Sequence, residues 1–526
     1  MKQWIVLLGV LVIMTSCKRK ATSWDVSLGA PLVNDTLDVS NFVQNQTLVP
    51  NANGTLDVDF TKTILDIGLS DLVALPDTLV VQSFSPNLTL NVPPGFNVFN
   101  ETNEHPINIP NVQLKKIRVS SGRIQLRVFN PLPTEVTFDV FLPGVSSNGT
   151  PFQASFSVAA GSQSNPTAGE SELELAGYEM DLRGMNGTAY NTLQSQVLVK
   201  TNPAGPSVTV TPSHVFNVEA SLKDIAIDYA RGYFGQQVFS DVAAVQVEAL
   251  NHVLSGNIDI QNVQLNISLS NGMKVPIKSK ITQVQNINHQ GSTVTLSAPC
   301  IGQNLFLAPA TGSWNTLNPS TQQLAINSSN SNIEGLLENL GSTLNLGYEV
   351  TLNPNGNLNG GWDEIFSTSR IKVELHAQMP LQLQADQLTL VDTFAISLKQ
   401  NQQKTHVIGG YFQVDVANAF PLQSQLKLTF LSENSTVITE ILGDALVLSS
   451  LAGSNNASGI LVKKSSIHFP LNAVLLDKIN EVKFVKVEAI LDTPNASGSA
   501  NQMVSIPVGA FLHVNIKAKL DTKIVY

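Results

Sequence analysis

The sequence predicts a mainly β protein, built as serial antiparallel β-sandwich-like domains with one or two short amphipathic helices. Three observations carry that prediction. Apolar and polar residues alternate in many short segments, the period of a strand with one face buried. Asn, Gly and Pro punctuate those segments as turn residues. Charged residues make up only 13% of the 526 residues, against about a quarter in an average domain. Asn, Gln, Ser and Thr stand in their place, and no Glu/Lys/Ala-rich helical tract occurs.

The first element is MKQWIVLLGVLVIMTSC. Its apolar run, Trp4 to Met14, is shorter than the roughly 20 residues a helix needs to span a bilayer, so residues 1–16 read as a signal peptide. Small residues immediately before Cys17 resemble a bacterial lipobox. That resemblance implies that Cys17 begins the mature chain and carries acyl chains, palmitate among them. Several chains on one residue anchor stably, since each buried CH₂ contributes about 0.8 kcal/mol. Residues 17–23 then form a lipidated, basic tether. Lys18, Arg19 and Lys20 sit at headgroup level, where each adds about 1 kcal/mol beside an anionic surface. No later apolar run approaches about 18 residues, so the rest is expected to be tethered to the membrane and not to span it. Lipoproteins displayed on the cell surface in some Gram-negative groups carry acidic residues at this place. The basic triplet therefore points to the periplasmic face of the outer membrane, with the cell surface as the alternative.

The formal net charge of −10 disfavours nucleic acid as a partner. Only two cysteines are present, so with Cys17 lipidated no intramolecular disulfide is expected. Cys300 reads as a core or turn residue.

The next elements repeat. GRIQLRVFNPLP, Gly122 to Pro133, is echoed by GYFQVDVANAFP, Gly410 to Pro421, 288 positions later. Ile124, Leu126 and Val128 map onto Phe412, Val414 and Val416, while Asn130 and Pro133 map onto Asn418 and Pro421. A weaker copy has Leu265, Ile267 and Leu269 leading into Asn271. Asn tolerates turn conformations and Pro removes a donor, so each copy reads as a strand, a sharp turn and a second strand.

An alternating strand ending in Asn-x-x-Pro and followed by another resembles the late-embryogenesis-abundant type 2 domain, a small β-sandwich. More of the chain resembles large, β-rich outer-membrane lipoproteins of the Bacteroidota. The carrying residues are Cys17 with SWDVSLGAPL, IDYARGYFGQ at Ile227 to Gln236, and VTLNPNGNLNGGWDEIF at Val350 to Phe366. The resemblance implies location and β architecture, and brings no catalytic motif.

Pro/Gly-rich and polar stretches divide the chain into a first β repeat with an N-terminal β segment over 24–205, a second repeat over 206–330 and a third with short helices over 331–526. Ile333, Leu336, Leu337 and Leu340 fall at helical spacing. That helix is expected to plug an open sandwich end or to act as a lid on an apolar cavity; Asn472 to Ile479 is a second candidate. Tyr233 and Phe234, between glycines in GYFG, are either core packing or a platform for a sugar or lipid.

Eight dispersed His residues form no HxH, HxxxH or HExxH pattern, and no nucleophile elbow or phosphate loop occurs. No metal, cofactor or catalytic residue is expected. NPNGNLNGGWDE, Asn353 to Glu364, resembles a calcium loop only superficially, because Asn replaces the carboxylates and Leu358 replaces the turn glycine. The leading functional expectation is a non-enzymatic envelope scaffold, anchored in the membrane and bound to envelope proteins. Alternatives are a carrier or chaperone for lipids or another hydrophobic ligand, and a glycan-binding or glycan-active lipoprotein.

Overall fold

The computed structural model describes residues 23–38, 47–52, 54–247, 250–251, 253–396, 405–494 and 502–525. Cys17, the signal segment and the basic triplet lie outside them. The fold is mainly β, in antiparallel sheets, with a few helices of one to two turns. No helix among the described residues is long and apolar enough to cross a membrane.

The chain opens with β1 (Ser23–Asp38), β2 (Thr47–Pro50) and β3 (Leu56–Ile67). It continues through β4 (Thr78–Phe84), β5 (Leu90–Val92), β6 (Asn97–Pro106), β7 (Gln113–Asn130), β8 (Val136–Ser147) and β9 (Thr150–Val158). Next come β10 (Thr167–Glu174), β11 (Glu179–Asp181), β12 (Thr192–Thr201), β13 (Val208–Val210) and β14 (Phe216–Tyr233). In the first sandwich, strands β4-β14-β7-β10 face β6-β12-β8-β9, with β11 bridging β7 and β8.

The second sandwich draws on β15 (Val238–Gln246), β17 (Gln264–Asn271), β18 (Ile277–Ile287), β19 (Thr293–Thr295), β20 (Leu305–Leu307), β21 (Ser320–Asn327), β22 (Thr343–Leu352) and β24 (Ile371–Pro380). Its sheets run β2-β3-β24-β17-β21 and β15-β22-β18. Strand β16 (Val253–Ile260) joins the third sandwich, and β23 (Asp363–Phe366) joins β14 of the first. The third adds β25 (Gln382–Ala395), β26 (Thr405–Asn418), β27 (Gln423–Leu431), β28 (Val437–Val447), β29 (Ser454–Asn455), β30 (Leu461–Pro470), β31 (Phe484–Asp492), β32 (Val504–Ser505) and β33 (Phe511–Val525). Its sheets run β1-β33-β26-β30-β29 and β16-β25-β31-β27-β28.

These pairings distribute the N-terminal segment over all three sandwiches. β1 pairs with β33 of the third, β3 with β24 of the second and β4 with β14 of the first. Ser23 lies opposite Val525, and the chain runs from there past the third and second sandwiches before building the first. The 16, 12 and 7 residues of β1, β3 and β4 amount to a strand path of roughly 115 Å at about 3.3 Å per residue.

Each of the three turn asparagines is buried, at 0%, 0% and 2% exposure, and each makes the same bonds. Asn130 Nδ2 donates to the carbonyls of Thr134 and Ala159, and its Oδ1 accepts the Leu132 N–H. Asn271 Nδ2 donates to Val275 and Ala308 while Oδ1 accepts from Met273. Asn418 treats Leu422, Leu448 and Phe420 alike. The amide thus closes its own turn and ties that turn to a later segment. Eight residues before two of them, Gly122 and Gly410 have φ of +126° and +125°. A Cβ on Gly122 would stand 2.8 Å from the Asp224 carbonyl oxygen, so only glycine lets β7 and β14 meet there.

Alternation along β7 buries Ile124, Leu126 and Val128. One continuous core runs from the first sandwich into the second, joining Leu114 and Ile117 of β7 to Ile365 of β23 and to Leu265 and Ile267 of β17. Fully buried Phe138 and Phe216 fill the far end of the first sandwich; burying such a side chain contributes about 1.5–3 kcal/mol. The third sandwich has its own core around Phe412, Phe430 and Phe469.

Candidate functional site

The densest group of aromatic and charged side chains lies where the first sandwich meets the second. Strand β23 lies antiparallel to the end of β14, with Tyr229 opposite Phe366 and Arg231 opposite Glu364. Residues two apart share a face of a strand, so Tyr229, Arg231, Glu364 and Phe366 converge on one side. The turn after Asn271 adds Lys274, whose backbone N–H reaches the Glu364 carbonyl.

Glu364 is the hub. Its Oε1 accepts from Tyr229 Oη at 2.6 Å and from Arg231 Nη2 at 2.6 Å, and its Oε2 accepts from Lys274 Nζ at 2.7 Å. Burial alone would push this carboxyl up, but the Lys274 ammonium, the Tyr229 hydroxyl and the Arg231 guanidinium together hold it at about 2. Burial and the neighbouring carboxylate raise the Tyr229 phenol. Next to them Trp314 stacks under the Arg118 guanidinium at 3.8 Å and meets Phe366 edge-on at 5.1 Å. Arg118 in turn grips Asp228 through two parallel bonds of 2.8 and 2.7 Å. On the rim, Lys115 Nζ lies 4.0 Å from the Trp362 ring centre and donates to the Gly360 carbonyl. Trp362 is half exposed.

Chemically this is a latch. A carboxylate held near 2 and saturated with donors is a poor base at neutral pH, and both strong cations beside it are already paired. The loop leading to it commits its asparagines to the backbone and to itself: Asn353 Nδ2 donates to the Gly235 carbonyl just after β14, while within the loop Asn357 Oδ1 accepts the Gly361 N–H and Asn359 Nδ2 donates to Asp363. Burial raises the Asp363 carboxyl, an effect the Asn359 amide partly offsets. Among the described residues no group of three His, Cys, Asp or Glu is placed to hold a metal ion.

The residues singled out in the sequence lie elsewhere. Phe234 is fully buried, and Tyr233 is half-buried at the end of β14. Ile333 and Leu336 are buried and Leu337 packs half-buried against their core, while Leu340, at φ +61°, is buried in a separate cluster with Val253 and Leu388. The helix Ile333–Glu338 is docked by two carboxylates, Glu334 accepting from the Asn262 N–H and Glu338 from the Ile260 N–H. The second helix, Ala473–Lys478, is capped by Asn472 and buries Leu475. Residue-by-residue reading missed the latch. Its two halves nevertheless lie in IDYARGYFGQ and VTLNPNGNLNGGWDEIF, and the signal was their aromatic density, Tyr229, Tyr233, Phe234, Trp362 and Phe366, in a chain that is only 6% aromatic.

Between the sheets of the first sandwich is an apolar cavity of about 40 Å³, walled by Ile124, Leu126, Leu193 and Val218. Polar residues on its wall are Thr78, Gln82, Ser195 and His105, the last bonded at 2.7 Å to Ser195 Oγ and lowered in pKa by burial.

No protein-family profile matches the chain, and no curated protein is detectably similar to it. Among solved structures, a protein of Parabacteroides distasonis provisionally described as secreted is 9% identical, with a TM-score of 0.26 over 56% of this chain and 88% of that one. The Sulfolobus turreted icosahedral virus structure is 11% identical, at a TM-score of 0.11 over 85% and 90% of the two chains. The VP2 subviral particle of infectious bursal disease virus is 8% identical, at 0.13 over 80% and 84%. Likeness at that level fixes neither a family nor a function.

Proposed function

We propose that the chain is a lipid-anchored envelope lipoprotein acting as a structural or protein-interaction scaffold, held at the outer membrane through Cys17 and facing the periplasm. The observation that carries this reading is the Glu364 latch, in which the most chemically capable side chains join two sandwiches. A rigid joint between domains suits a spacer or scaffold. The proposal includes descent of the three sandwiches from one unit resembling the late-embryogenesis-abundant type 2 domain; the matched asparagine bonds support it. The carrier reading has less support, because the apolar cavity of about 40 Å³ is far below the roughly 150 Å³ that admits even benzene, and a larger cleft of about 220 Å³ is lined by Asn51, Asp57, Gln382 and Ser505, a polar wall unsuited to an acyl chain.

Two measurements test the proposal. Labelled palmitate should enter the wild-type chain and not the Cys17→Ala variant. Crosslinking in native envelopes should then capture defined protein neighbours. Hydrolysis of envelope glycans, lipids or peptides by the purified chain, lost on changing one acidic or His residue, would overturn it.

A further inference from the structure

Among the described residues, strand β4 is one of the open edges of the first sandwich. Among the described residues β4 pairs with β14 alone, from Thr78 opposite Leu222 to Phe84 opposite Phe216. Its sequence, TLVVQSF, holds no charge and no Pro. Leu79 and Val81 stand 63% and 56% exposed on the outer face. The alternate residues Thr78, Val80 and Gln82 point between the sheets and line the apolar cavity. Unpaired backbone groups along such an edge are a template for another strand.

The other sandwiches show how the matching edge is treated. β3 lies beside β24 as β4 lies beside β14, and the first four residues of its outer edge, Leu56 to Asp59, are covered by β2, antiparallel from Thr47 opposite Asp59 to Pro50 opposite Leu56. β1, beside β33, shifts register between Pro31 and Val33, and Asp35 Oδ1 accepts the following N–H, of Thr36, at 2.8 Å. On the edge strand β15, Asp241 does the same to the Val242 N–H at 2.7 Å. A charge and a self-satisfied donor blunt both edges. β4 has neither cover nor charge.

We propose that β4 accepts an extended apolar strand from a partner polypeptide, antiparallel as β2 is on β3, with one inward aliphatic side chain seated in the cavity. Backbone bonds supply affinity in this mode, and the pocket for an alternate side chain supplies selectivity. The Thr-Leu-Val-Pro sequence of β2 shows the kind of segment such an edge takes. The cavity volume suits an aliphatic group and excludes a ring. This inference rests on the protein-binding reading above, yet its test is separate.

The probe is a fluorescein-labelled peptide, KKTVTLTVTKK, titrated into the purified full-length chain and followed by anisotropy. Saturable binding is expected, with a scrambled peptide of equal composition about tenfold weaker. The L79K/V81K variant changes only exposed side chains and should weaken binding about tenfold while keeping the wild-type melting temperature. Ala220→Leu, which fills the cavity and leaves the edge intact, should weaken it about threefold. No saturation by about 1 mM peptide, or binding indifferent to L79K/V81K, overturns the proposal. So does a wild-type dimer by light scattering that L79K/V81K converts to monomer, since a second copy would then be the occupant. Failure of the peptide assay leaves the scaffold reading standing, whereas an envelope crosslinking experiment without neighbours removes the scaffold and leaves the edge.

Discussion

Replacing Asn418 by Asp isolates the role of one buried amide. In the wild type its Nδ2 donates to the Leu422 and Leu448 carbonyls at 2.8 and 2.9 Å, and its Oδ1 accepts the Phe420 N–H at 2.8 Å. Asp keeps the acceptor and turns the donor into an oxygen facing two carbonyl oxygens. Two bonds disappear, each contributing about 1 kcal/mol net, and at least one buried carbonyl is stranded at about 1–3 kcal/mol. The expected loss is about 3–5 kcal/mol in the third sandwich. Urea unfolding followed by hydrogen exchange in β26 and β27 reads that sandwich separately, as a multidomain chain requires. With a slope of about 2 kcal/mol/M, its midpoint should fall by about 1.5–2.5 M. The deficit should shrink in acid, because a protonated Asp regains one donor. Asn418→Ala should cost about 3 kcal/mol with no such pH dependence. An Asp variant within about 0.5 kcal/mol of wild type at neutral pH would refute the claim that this amide fastens the turn.

Three further outcomes follow from the first sandwich and its junction. Glu364, held at about 2 against an ordinary 4.5, contributes stability that is present above the unfolded value and lost as pH falls through the folded one. Its share of the acid loss should therefore develop between about pH 4.5 and 2 and amount to about 2–3 kcal/mol; in thermal melts Glu364→Gln should remove that share and leave the part owed to other lowered carboxylates, among them Asp139, Asp181, Asp415 and Glu488. His105, lowered by burial, acts in the same protonation sense although its favoured form is uncharged: the deprotonated imidazole is preferred in the fold, so the stability of the first sandwich should decline below about pH 6.5. His105→Gln should flatten that decline in melts of β6 and β12 followed by hydrogen exchange. Trp314→Ala removes the ring beneath Arg118 and beside Phe366, and should cost about 2–3 kcal/mol; the junction should then yield to limited proteolysis before either sandwich core does.

Much of the local structure was legible. The alternation in GRIQLRVFNPLP predicts β7, and its Asn130 forms the turn, because the amide's partners lie mostly within a few residues. The same holds for Asn418 and for the short helix after Asn472, whose cap bond spans three residues. The site was less legible. Tyr233 and Phe234 drew notice through their flanking glycines, but Phe234 is core, and the latch uses Tyr229 and Arg231 just before them. Glycine spacing reports turns and close approaches, whereas exposure depends on what packs from outside the segment.

By itself, the sequence determined which segments become strands, where they stop, and which asparagines close the turns, since those choices depend on side-chain period and bonds across a few residues. Only the tertiary structure decided partnership. Ser27 bonds to Asp521 across 494 positions, and β1, β3 and β4 are shared out among three sandwiches. Alternating apolar residues suit many neighbours equally well, so pairing is selected by burial and register over the whole chain. The meeting of Glu364 with Arg231 and Lys274, and the bare edge of β4, exist only once that selection has been made.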